Sequence, residues 1–417
     1  MESDGVGEFM RQVELSLEQI FTCSEKEQHG KCGAFQHERL LVCAAVPGKL
    51  RLGKLCVSLD ERSRIPSLEN ATLTKIKGKT KTMQGPKRVA TVLLTFIVLS
   101  MGLADYWSYS KAYHLDPTSF TDVLQGTAPA PNQYRIGVIG PAGFLARHSH
   151  LALRHVFTAI DVSAAFVAVF TLLFLLQRSS IYRNASNPAQ WFGVACFVVL
   201  VQFYLPWVTW YQRPETMATA ALVSLVLLML TVRLRLPGAA GYVATAAVML
   251  LLAVAQGFVR ADVAFALHAG IFLLCLTRGG EGLSLPRGVQ AVTSLLALTL
   301  AAGIQYYLMH IVYPQATYGD TPVFQLVLNF KEWARLIAFV LFIPPYVWTV
   351  RTAFRRRTQV AAPELAFVLG SAVFMGMWWF LGRVEEVRLF LPFTLALAPL
   401  GGQLAMRQWL GEEAVEA

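Results

Sequence analysis

From Val89 onward the chain alternates between apolar stretches and short polar breaks, and each stretch is near the roughly 20 residues that span a hydrocarbon core. A repeat of that length predicts helices in lipid, because a helix satisfies its own backbone polar groups where no water can. The runs place candidate spans at 89–104, 157–176, 190–209, 217–232, 241–258, 263–276, 289–311, 336–350, 365–381 and 389–405. The expected fold class is all-α: a polytopic transmembrane helical bundle of about ten spans. Two long loops interrupt it. The first carries short half-apolar pieces at 120–124 and 140–147, expected to lie in the membrane interface as amphipathic helices, and 323–333 in the second reads similarly.

The polar breaks carry a sidedness. Lys75, Lys77, Lys79, Lys81, Lys87 and Arg88 precede the first span, and placing them in the cytoplasm fixes the orientation. The other cytoplasmic breaks then hold Arg178 and Arg183, Arg233 and Arg235, Arg278 and Arg287, and Arg351 with Arg355 to Arg357, with Glu281 the lone acid between inner spans. Asp105, Asp116, Asp122, Glu215, Asp262, Asp320, Glu332, Glu385 and Glu386 fall on the other side. An even span count puts both termini in the cytoplasm, as expected of a multi-pass inner (plasma) membrane protein.

Composition agrees. Of the 417 residues 55% are hydrophobic and 15% charged, against roughly 25% charged in soluble domains, which argues against a soluble enzyme. A net charge of +10 would suit nucleic acid, but the basic residues sit in short clusters between apolar runs, as topology signals do, and no soluble basic patch interleaves them with aromatics. No nucleic-acid partner is expected. Residues 1–82 differ from the rest, being mixed in charge and punctuated by Gly and Pro. Two readings stay open: a small cytoplasmic extension with a short amphipathic helix at 9–21, or a natural start at Met83, ahead of a transmembrane domain at 83–417. Cys23, Cys32, Cys43 and Cys56 in this segment lack the close pairs of zinc sites and read as free thiols.

Ionisable groups at or within a membrane are costly, so each is read as functional or paired. They gather at the outer ends of the spans: Asp105, Tyr134-Arg135, Arg260 with Asp262, and Arg383, Glu385, Glu386 and Arg388. If these loops face one another they form a cavity mouth holding both guanidiniums and carboxylates. Arg forks bind phosphate oxygens bidentately, and a carboxylate can take a proton from a hydroxyl, so such a mouth suits a phosphorylated lipid. Each residue has a plainer alternative. Asp105 can merely mark a helix end beside the belt aromatics Tyr106 and Trp107. Arg135 can pair with a nearby acid, Arg260 and Asp262 can close a tight turn, and Arg383 to Arg388 can be an internal ion-pair network. Asp161, early in the second span, can be a relay acid but reads more simply as a buried acid bonded to a neighbouring helix, and His268 and His310 read as hydrogen-bonded core histidines.

An Asp just after the first span, a Tyr and small residues four to seven positions on, and Asn132-Gln133-Tyr134-Arg135 leading through Pro141 into an apolar segment resemble the first outer loop of the GT-C superfamily. These are multi-span glycosyltransferases that use polyprenyl-phosphate-linked sugars. The resemblance covers roughly residues 89–180. It implies that Asp105 is the general base; the second acid usual beside it is absent, since Tyr106 follows.

The function expected is a membrane glycosyltransferase moving a sugar from a polyprenyl-phosphate donor to an acceptor on the outer face. Asp105 is then the catalytic residue, Arg135, Arg260 and Arg388 stabilise the departing phosphate, and Tyr134, Asp262, Arg383, Glu385 and Glu386 complete the substrate site. Membrane lipid and the lipid-linked sugar are the expected partners. No soluble cofactor motif is present: there is no P-loop, dinucleotide fingerprint or nucleophile elbow, and the spacing of His148, His150 and His155 matches no HExxH zinc site, so a divalent metal is unsupported. A transporter or flippase for a lipid-linked or anionic substrate, and a non-catalytic membrane assembly protein, are the alternatives.

Overall fold

The computed structural model describes residues 84–115, 118–176, 193–196, 213–277, 282–317, 324–331, 333–382 and 387–410. All belong to the unit Thr80–Ala417; the other unit, Met1–Lys79, lies outside the described residues, as do Arg383, Glu385, Glu386 and most of the expected span 190–209.

Every regular element among the described residues is helical. In chain order they are α1 (Gln84–Leu115), α2 (Thr118–Gln125), α3 (Ile136–Ser149), α4 (Leu153–Leu176), α5 (Pro214–Thr231), α6 (Ala239–Thr277), α7 (Arg287–Tyr307), α8 (Leu326–Lys331), α9 (Trp333–Arg355), α10 (Ala362–Leu381) and α11 (Leu391–Leu410). Short 3-10 turns precede α3 (Asn132–Tyr134) and α11 (Val387–Phe390, which includes Arg388), and α7 runs on into a π-turn at Leu308–Val312. Five helices are long and apolar enough to cross a membrane: Leu153–Leu176, Pro214–Thr231, Ala239–Thr277, Arg287–Val312 and Ala362–Leu381. Large apolar side chains also face outward, with Phe96 70%, Leu103 73% and Leu251 68% exposed. Water penalises such a surface and lipid does not, which supports a membrane protein.

The longest element is folded double. Arg287 donates from its guanidinium to the carbonyls of Cys275 and Leu276, and Gln290, one turn later, donates to Met249 Sδ at 3.8 Å. A straight helix would hold Met249 and Cys275 roughly 39 Å apart at 1.5 Å per residue. The chain therefore reverses between them, and the one non-helical residue available is Arg260, at φ −154° and ψ 82°. The legs are 239–259 and 261–277, matching the two adjacent apolar runs of the sequence.

Small residues let these legs pack closely. Gly257 faces Ile304 of α7, and Gly270 meets the backbone of Gly370 in α10. The main core joins α4, α5, α6, α10 and α11, and ends in an aromatic group of Phe367, Phe374, Trp378, Phe390 and Phe393. α5 has a well-formed start: Pro214 occupies the first turn, where its missing N–H costs nothing, and Glu215 follows where an acid complements the helix dipole. That start fixes where Glu215 enters the bundle.

Candidate functional site

The loop before α4 is built so that its polar groups point inward. Gln133, fully buried, accepts a hydrogen bond from the Ala128 amide at 3.0 Å and donates to the Val123 carbonyl at 3.1 Å, which seats the 3-10 turn against α2. Tyr134 is buried, and its hydroxyl donates to the Ala316 carbonyl at 2.7 Å. The Ala130 amide reaches Thr317, and the Gln315 side chain reaches the Gly126 carbonyl. The two long loops are thus laced together, although 182 residues separate Tyr134 from Ala316.

Arg135 follows at the N-cap of α3 and donates to Glu215 Oε1 at 3.4 Å. Arg135 also stands within electrostatic reach of Asp262. Arg260 clasps Asp262 with both arms of its fork, Nε to Oδ1 at 2.9 Å and Nη2 to Oδ2 at 2.5 Å, and lies 5.8 Å over the Phe374 ring. A bidentate clasp two residues long draws the chain around the α6 reversal. Arg260 and Asp262 close that turn.

The acids lie on the other flank. Asp105 is buried on α1, and burial pushes its carboxyl up to about 7. One turn on, Tyr109 is buried against Phe157, with ring centroids 5.4 Å apart, and its hydroxyl donates to Asp161 Oδ2 at 2.5 Å. Burial raises the Tyr109 phenol well above its ordinary range, and the charges of Asp161, Asp105 and Glu215 add to the shift. Tyr109 is thus bonded to Asp161 and within electrostatic reach of Asp105 and Glu215, and Glu215 is paired with Arg135.

A cavity of about 740 Å³ opens beside this cluster. Its walls include Ile136, Ile160, Ala218 and Val259, with Arg147 and Tyr313 among the few polar groups on its lining. Ile136, Ile160 and Val259 are the chain neighbours of Arg135, Asp161 and Arg260. The hollow is mainly apolar, as suits the hydrophobic part of an amphipathic ligand.

No family model, curated protein or solved structure matches this chain.

Of the residues singled out in the sequence, Arg260 and Asp262 are paired with each other, Arg135 is paired with Glu215 and lies within electrostatic reach of Asp262, Asp105 lies within electrostatic reach of Tyr109, and Tyr134 braces the loop that carries Arg135. Arg388 lies in the turn before α11, and Arg383, Glu385 and Glu386 lie outside the described residues. Asp161 is bonded to a neighbouring helix, as its place in the span suggested, and Tyr109 and Glu215 join it without having been assigned a chemical part; the available signals were the four-residue spacing of Asp105 and Tyr109 and the cost of an acid inside a span. One expectation about the core is corrected. His268 is fully buried, yet among the described residues neither ring nitrogen has a hydrogen-bond partner. His310 is exposed, its ring tilted against that of Tyr306 with centroids 4.5 Å apart. Among the described residues no group of three or more His, Cys, Asp or Glu is arranged to hold a metal ion.

Proposed function

We propose that this protein is a membrane glycosyltransferase of about ten spans, which moves a sugar from a polyprenyl-phosphate donor to a hydroxyl acceptor on the outer face of the inner membrane. On this reading both termini are cytoplasmic and the Asp105 end of the bundle faces outward. One observation carries it: Asp105, a buried carboxyl poised at about 7, lies within electrostatic reach of Tyr109, as does Glu215, the partner of Arg135, beside an apolar cavity. A base whose pKa lies near the working pH holds the right protonation state and still accepts a proton readily.

In the reaction the acceptor hydroxyl attacks the anomeric carbon of the sugar, and its proton passes to Asp105. The bond from that carbon to the phosphate oxygen breaks, and the electron pair leaves with the lipid phosphate. Arg135 stabilises the charge that develops there, with Arg388 a second candidate. Arg260, engaged by Asp262, shapes the site. A lipid-phosphate donor needs no nucleotide to cross the membrane. The test is transfer in membranes supplied with labelled polyprenyl-phosphate sugars. Asp105→Asn should abolish it, and activity equal to the unaltered protein would remove the proposed base.

A second reading, a transporter or flippase for a lipid-linked or anionic substrate, is favoured by Gln256 and His268. Both are fully buried on α6, and among the described residues neither side chain has a hydrogen-bond partner. Unpaired polar groups inside a bundle are costly and can line a path. Substrate flux into proteoliposomes that is lost in His268→Ala, with no sugar transfer, would select it.

A further inference from the structure

We propose that Tyr109 and Asp161 form the second half of the proton-accepting group whose first half is Asp105, so that the acceptor's proton passes from Asp105 through the Tyr109 phenol to Asp161. The inference rests on the transferase reading and supplies the second carboxylate that is missing beside Asp105 in the chain.

The geometry follows from α1. Asp105 and Tyr109 stand one turn apart on the same helix face, and helical side chains lean back toward the N-terminus, which carries the Tyr109 ring over the turn that holds Asp105. Beyond it the hydroxyl is already committed to Asp161 Oδ2 at 2.5 Å. Asp105 is 5% exposed, Tyr109 1% and Asp161 0%. A proton taken up by Asp105 therefore has little water to leave through, and the Tyr109–Asp161 hydrogen bond begins one helical turn away.

The surrounding charges are few. Tyr106 of α1 stacks on His155 of α4 under Arg154. Glu215 of α5 faces Tyr109 and is paired with Arg135, and Arg213 lies over the Phe120 ring.

The step balances. On coming within hydrogen-bond reach, the protonated Asp105 carboxyl gives its hydrogen to the Tyr109 oxygen while the Tyr109 hydrogen moves to Asp161 Oδ2. At the end Asp105 is again a carboxylate, Tyr109 is again a neutral phenol, and Asp161 is the protonated acid. The electron pair of the broken sugar–phosphate bond resides on the lipid phosphate. No oxidant or further reactant is needed.

The experiment uses the full chain in lipid nanodiscs and compares Tyr109→Phe, Asp161→Asn and the double variant. Tyr109→Phe removes one oxygen and keeps the ring against Phe157, so the helix contact survives. Each single variant should lower kcat roughly tenfold or more across the pH profile, with KM for the lipid-linked sugar within about twofold. The double variant should be no slower than the slower single, because both interrupt one path. Wild-type kcat and pH profile in Tyr109→Phe, or losses that multiply in the double variant, would overturn the relay and leave the hydrogen bond a mere tie between α1 and α4. A readout without turnover separates the two claims: infrared difference spectra of the protonated carboxyl band that titrates near pH 7. The band should vanish in Asp105→Asn and shift in both Tyr109→Phe and Asp161→Asn. A band that neither variant moves overturns the shared proton site, whereas a shifted band in a protein that transfers no sugar sinks the transferase reading alone.

Discussion

A Cβ added to Gly270 would lie 2.1 Å from the backbone nitrogen of Gly370, so α6 and α10 touch main chain to main chain at that point. Without a hydrophobic drive between helices in lipid, such close approach is how a bundle gains its packing. Neither backbone can move aside cheaply, unlike the tip of a long side chain.

Gly270→Ala is therefore expected to lower stability by at least the ~1–3 kcal/mol typical of overpacking. Gly376→Ala is the control, since an added Cβ there meets nothing within 4 Å. Thermal unfolding in detergent should show a clear drop in midpoint for the first and none for the second. Equal midpoints would mean that the helices do not meet there.

The ion pair between Arg135 and Glu215 joins the first long loop to α5, and Glu215 is 3% exposed against 18% for the Arg135 side chain. Because Glu215 is the buried member, it suffers more from losing its partner than Arg135 does. Arg135→Ala should cost roughly 1.5–3 kcal/mol, the range for a hydrogen bond to a charged group. Glu215→Gln should cost less. A double-mutant cycle by chemical denaturation measures the coupling, and additive losses would refute it.

Asp105 gives a pH dependence with a definite sign. Its folded carboxyl sits at about 7 against an ordinary value of 3.8. Between these values the folded state binds a proton that the unfolded state has released, so stability falls as pH rises from about 4 to about 7. Above that the full cost of a buried carboxylate is present. Unfolding midpoints followed between pH 5 and 8 should decline in the natural protein, and Asp105→Asn should flatten that decline. A slope unchanged by the substitution would show that another group titrates.

How much of this was open to a reading of the chain depends on how far each interaction reaches. The apolar runs marked the helices well, because hydropathy reports the solvent each turn must face; the reversal at Arg260 was legible for the same reason. The end of α1 was not. The run stops at Ala104, but the helix continues to Leu115, since a helix can outlast the apolar run that marks it. Those extra turns place Tyr109 one turn beyond Asp105. Asp161 lies 52 residues from its partner and Glu215 lies 80 from Arg135, and no spacing rule links positions on separate helices. His268 shows the converse: its burial was evident from its apolar neighbours, but its lack of a partner depends on what other helices bring to it.

The cavity beside the cluster yields the sharpest test of what the site accepts. Ala218 lines it from α5, one turn beyond Glu215, and is not tightly enclosed. Ala218→Leu therefore adds bulk to open space and should leave the unfolding midpoint nearly unchanged. If the hollow holds the hydrocarbon of the donor, the added side chain shortens the room for a long isoprenoid but not for a short one. Transfer from a long-chain donor should then fall through a raised KM while a short-chain donor reacts as before, because the substitution leaves Asp105 and Arg135 unchanged. Equal KM values for the long-chain donor in both proteins would place the hydrocarbon elsewhere.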